Sequence, residues 1–136
     1  MDVDLALLCD AATVDGSGKL NILGVFDRLN VSSLPARHGR MALVLRFAGD
    51  VSEAGEHDLG IALKDPEGGE VFRADGKLQI GAGRGAPGEG IRVPQVLNFD
   101  GLVFKTEGRY VFDVRVDGTH HVAVPLRVSL PPGAQA

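Results

Sequence analysis

Residues 81–90 read GAGRGAPGEG, and Gly83, Gly85 and Gly88 stand at the spacing G-x-G-x-x-G. In a dinucleotide-binding turn such glycines let the backbone approach a pyrophosphate seated on a helix N-terminus. That chemistry needs a strand before the loop and a helix after it. Leu78-Gln79-Ile80 can supply the strand. Glu89-Gly90-Ile91-Arg92-Val93-Pro94 cannot supply the helix: its β-branched residues and glycine are poor helix formers, and an interior proline costs about 3 kcal/mol. No GKS or GKT sequence exists for a phosphate loop. The stretch is therefore expected to be a mobile connector between strands, with Arg84 as its charged tip, and no cofactor is expected.

The other residues with chemical capacity are scattered. His38, His57, His120 and His121 fall in expected loops or strand ends, and in a strand two adjacent histidines point to opposite faces. The acidic stretches Asp50–Glu56, Asp65–Glu70 and Asp113–Asp117 lack the dense carboxylate comb that calcium prefers. Asp113, Arg115 and Asp117 read as a same-face charge ladder. Ser17, Ser32, Ser33, Ser52 and Ser129 lie in turns or late strands, and G-x-S-x-G is absent. The single cysteine, Cys9, sits in an apolar run and reads as a small buried hydrophobe. No catalytic, cofactor-binding or metal-binding residue is assigned from the sequence.

Charge narrows the partners. With 14 basic and 18 acidic residues the net charge is −4, and no basic block stands out. Aromatic residues make up 5%, too few for base-stacking platforms. The expectation is no nucleic acid and no membrane, with another protein or a second copy as partner. Leu5-Ala6-Leu7-Leu8-Cys9 superficially resembles a lipobox, but the acidic start Met1-Asp2-Val3-Asp4 and bulky Leu8 argue for a cytoplasmic chain.

Those residues must be positioned by strands, because the dominant periodicity is two. Val3, Leu5, Leu7, Cys9 and Ala11 alternate with Asp4, Ala6, Leu8 and Asp10. After Asp15-Gly16-Ser17-Gly18, a turn tolerant of positive φ, comes Leu20–Phe26. Further strands are expected at Met41–Phe47, at Asp58–Lys64 with Leu59, Ile61 and Leu63 inward, and at Glu70–Ile80, with a break at Asp75-Gly76. Ile91–Phe104 contains Pro94, which places it on an edge or at a bulge. Tyr110, Phe112, Val114 and Val116 share one face, and after Asp117-Gly118 so do Val122, Val124, Leu126 and Val128. About eight strands with no helical period predict an all-β antiparallel β-sandwich, immunoglobulin-like or a related Greek key, with a β-barrel as the alternative. Residues 1–130 form the single domain and 131–136 a flexible tail.

Thr106-Glu107-Gly108-Arg109-Tyr110-Val111-Phe112 resembles the tyrosine corner of immunoglobulin-like sandwiches, which implies a sandwich and no particular activity. LALLCDAATVDGSGKLNILGVFDRLNVSSLP (5–35) with EGRYVFDVRVDG (107–118) resembles a family of small uncharacterised bacterial domains. That resemblance implies a free-standing β domain and brings no functional residues with it. The function expected is a non-enzymatic structural or protein-interaction module that self-associates. Its contacts are expected at an edge, either Ile91–Phe99 or the N-terminal strand. The alternatives are a small-ligand or metal-binding sandwich and, third, a hydrolytic enzyme.

Overall fold

The computed structural model describes residues 1–81 and 90–132. The G-x-G-x-x-G stretch, Arg84 included, and the last four residues of the tail lie outside the described residues.

Among the described residues nine strands follow one another: β1 (Asp2–Val14), β2 (Leu20–Phe26), β3 (Arg28–Asn30), β4 (Ala36–Gly49), β5 (Gly55–Lys64), β6 (Glu70–Ile80), β7 (Ile91–Phe104), β8 (Gly108–Val116) and β9 (Thr119–Ser129). They form a four-stranded sheet ordered β2-β1-β4-β7 and a five-stranded sheet ordered β3-β9-β8-β5-β6. Among the described residues the only helical element is a single 3-10 turn, Val51–Glu53, and no helix is long and apolar enough to cross a membrane. The strand beyond the expected eight is β3, three residues that run parallel to β9. It is too short to show an alternation. Glu70–Ile80 continues through Asp75-Gly76 without the expected break.

Alternation decides what each sheet buries. Leu59, Ile61 and Leu63 of β5 and Tyr110, Phe112, Val114 and Val116 of β8 face the other sheet, where they meet Leu8, Met41, Leu43, Leu45 and Phe47. Phe112 lies near Phe72 and Phe99, with centroids 6.4 and 5.6 Å away, which ties both sheets together at the β6–β7 side. The Tyr110 hydroxyl donates to the Thr106 carbonyl at 2.9 Å, so a fully buried ring keeps its polar atom satisfied.

The alternation in β1 is not continuous. The register between β1 and β4 shifts between Val3 and Leu5, so Val3 packs into the main core while Leu5 and Leu7 face the other way. On that far side of the four-stranded sheet Cys9, Ala42 and Val44 are fully buried as a second cluster. Leu5, Leu7 and Val96 pack against it, and so do Ala12, Leu20 and Ile22. The last three belong to the end of the β1–β2 ribbon, which runs beyond the pairing of β1 with β4 at Cys9. An odd separation between Cys9 and Ala12 brings both to one cluster only if the ribbon coils between them. Gly24, paired across from Asp10 in that register, takes φ +72° there.

Candidate functional site

The far face of the five-stranded sheet carries most of the clustered charge. Gly60 lies opposite Asp75 of β6 and Arg115 of β8, and Ala62 lies opposite Arg73 and Asp113. Two small residues on β5, between β6 and β8, thus form the floor of an open groove of about 440 Å³, with charged walls on both sides. Three carboxylates (Asp58, Asp75, Asp113) face three cations (Arg73, Lys77, Arg115), so the lining is neutral in sum. The cations already have partners: Arg73 with Glu70 at 3.2 Å, Arg115 with Asp113 at 3.0 Å, and Lys77 with Asp58.

Asp113 is the buried charged residue of the described chain. Burial pushes its pKa up, but hydrogen bonds from Arg115 and His120 outweigh that and hold it below the ordinary carboxylate range. The expected ladder is therefore right for Asp113 and Arg115 and wrong for Asp117. Asp117 sits in the β8–β9 turn at φ +51°, followed by Gly118 at φ +79°, the signs a two-residue type I′ hairpin requires. From there its carboxylate accepts from the Asp58 amide at 2.9 Å and meets His57 Nδ1 at 2.6 Å. The other ring nitrogen, Nε2, meets the Glu53 carbonyl at 2.6 Å. Both neighbours are acceptors, so both ring nitrogens donate only in the imidazolium, and His57 is raised above its ordinary pKa chiefly by Asp117.

The remaining sequence candidates are spread out. His38 is inside β4 with its ring 6.0 Å from Phe26, and not in a loop. His120 pairs with Asp113, whereas His121 is the extra residue of a register shift between β8 and β9 and bonds the Thr119 carbonyl. The loop carboxylates are engaged by turns. Asp15 accepts from the Ser17 and Lys19 amides and the Ser17 hydroxyl, Asp65 from the Glu67 and Gly69 amides, and Asp50 caps the 3-10 turn. Ser17 and Ser52 give their hydroxyls to Asp15 and Asp50, with no histidine in either pair. Among the described residues no three His, Cys, Asp or Glu are placed to hold a metal.

The sheet edges are the second candidate. β2 and β7 bound the four-stranded sheet, and β3 and β6 the other. Ile91–Phe99 is at an edge as expected. The N-terminal strand is not, because β2 and β4 flank β1 on both sides. On β2, Leu23 and Val25 are 72% and 63% exposed, the two most exposed large apolar side chains of the described residues. Beside Val25 a groove of about 330 Å³ is lined by Leu7, Phe26, Val124 and Pro125. Sequence reasoning passed over this pair because an alternating strand gives no sign of which neighbour is missing.

The chain belongs to the Family of unknown function (DUF6941), whose model matches residues 4–129. No curated protein matches it. A similar solved structure is the Pseudomonas fluorescens alkylpurine DNA glycosylase AlkC bound to DNA containing an abasic site analog. It is 10% identical with a TM-score of 0.46, over 93% of this chain and 30% of that one. The chain thus spans under a third of that enzyme's length. The expectation of no nucleic acid is corrected to this extent: the similar structure is of a protein bound to DNA. A count of basic blocks along the sequence does not see cations gathered from separate strands; Arg46 of β4 and Arg92 of β7 both pair with Asp4. The likeness is too slight to assign DNA binding to this chain.

Proposed function

We propose that this member of DUF6941 is a protein-interaction module of immunoglobulin-like design that meets its partners, other copies of itself included, through the edges of its four-stranded sheet. The immunoglobulin-like part rests on the Tyr110–Thr106 corner and on β3 running parallel beside β9 at the end of the five-stranded sheet. A bacterial, cytoplasmic setting agrees with the family resemblance and with a buried free thiol at Cys9. The observation that carries the functional reading is the exposed pair Leu23 and Val25 on edge strand β2. An open edge offers backbone hydrogen bonds to another strand, and apolar side chains beside it add burial.

The test is a variant carrying Leu23→Glu and Val25→Lys, studied by light scattering and affinity capture. Assembly or capture through β2 should be lost while the melting temperature stays within a few degrees. A wild-type chain that remains a strict monomer at high concentration and captures nothing would sink the reading.

A second reading, a small-ligand module, is favoured by the groove over Gly60 and Ala62. A neutral lining with both signs of charge suits a zwitterionic ligand. Thermal melts with a panel of such compounds, repeated with Gly60→Leu to fill the floor, decide it: no shift in the wild type removes this reading.

A further inference from the structure

The inference concerns β7 and rests on the interaction reading above. This strand runs for 14 residues, and among the described residues it pairs with β4 alone. A long open edge of this kind is a template for another strand. Arg92 and Asp100 stand four positions either side of Val96, on one face of an unbroken register, and their side chains are 64% and 62% exposed. We propose that two copies join β7 to β7, antiparallel across a twofold axis centred on Val96, so that their four-stranded sheets become one.

In that register Arg92 of each copy lies directly opposite Asp100 of the other. Opposite charges in directly facing positions stabilise a strand pair, and like charges destabilise it. Centring on Gln95 sets Arg92 opposite Asn98, and centring on Leu97 sets it opposite Leu102, so neighbouring registers lose both pairs. Existing ion pairs extend the match. Arg40 already holds Asp100 at 2.8 Å and Asp4 holds Arg92 at 2.9 Å, so signs alternate from Arg40 to Asp100 to Arg92 and Asp4 of the second copy. On the opposite face Val93 meets Phe99, and both are partly buried apolar groups of the main core.

Pro94 does not oppose this arrangement. Its pairing with Arg46 leaves the β4 ladder in register, so its missing N–H belongs on the open side. Val96 and Asn98, two and four residues on, then also turn their amides outward. The two Val96 residues exchange a pair of hydrogen bonds at the axis. Each Pro94 omits one N–H, opposite Asn98. A twofold contact of this kind closes on itself and does not propagate.

Sedimentation equilibrium of the full chain tests the register through charge variants. The wild type should be a dimer, and Arg92→Asp or Asp100→Arg should each raise its dissociation constant about tenfold or more, because two pairs become repulsive. Mixing the two variants should restore a heterodimer to near wild-type affinity, since every facing pair is then opposite in sign. A merely structural role for either residue would not respond to mixing, and circular dichroism checks that each variant is folded. Variants that associate like the wild type, or a mixture no tighter than its components, would overturn the register. If assembly then falls with the Leu23→Glu, Val25→Lys variant, the interaction reading stands without β7. A wild type with neither assembly nor partner overturns both.

Discussion

His57 is the residue whose chemistry is most constrained by geometry, since both its ring nitrogens face acceptors. Its pKa in the fold lies above the ordinary 6.5, so its contribution to stability is complete below about 6.5 and is lost as pH rises through the raised value. Asp117 is depressed by His57, and its contribution is present above its ordinary 3.8 and lost as pH falls through the lowered value. The pair is therefore fully formed only between those limits. Thermal melts should show the midpoint falling as pH rises from about 6 to 8, and His57→Gln should flatten that slope. An unchanged slope in the variant would remove His57 as its source. Tyr110→Phe should cost about 1 kcal/mol in denaturant unfolding, because it leaves the Thr106 carbonyl without its donor. The sequence pointed to Tyr110 through its setting, but His57 looked like one surface histidine among several. Its partners come from residues 4 and 60 positions away, which no local spacing reveals.

At the scale of elements, β2 and β7 were legible from end to end, and β6 at its bounds though not across Asp75-Gly76. β4 was read short at Met41–Phe47. Its first residues, Ala36-Arg37-His38-Gly39-Arg40, carry no apolar alternation, and pairing with β7 alone holds them in the sheet. The second cluster was missed although it leaves a trace. Leu5-Ala6-Leu7-Leu8-Cys9 and Met41-Ala42-Leu43-Val44-Leu45 are apolar at successive positions, which marks strands covered on both faces. What covers them is the coiled β1–β2 ribbon, and its bend needs Gly24. A Cβ there would run into the Asp10 carboxylate, on a backbone at φ +72°. Gly24→Ala should destabilise the domain by about 1–2 kcal/mol in urea melts. A cost near zero would mean that the ribbon does not depend on the bend.

For the whole molecule, the sandwich could be argued from alternation, whereas the edges could not, because being at an edge is a fact about absent neighbours. If chains join at β7, stability is linked to concentration. The thermal midpoint of the wild type should rise across a hundredfold increase in protein, and that of Arg92→Asp should begin to rise only at higher protein. A wild-type midpoint independent of concentration would count against assembly in this range. The coiled ribbon has one more consequence. Cys9 is the only thiol in the chain, and it is fully buried beneath that ribbon with its pKa raised by burial. A thiol-alkylating reagent can reach it only when the ribbon lifts, so its labelling rate is a clock for that opening. Labelling faster than global unfolding allows would show that the molecule comes apart first at the β1–β2 arm, leaving the two sheets still clasped.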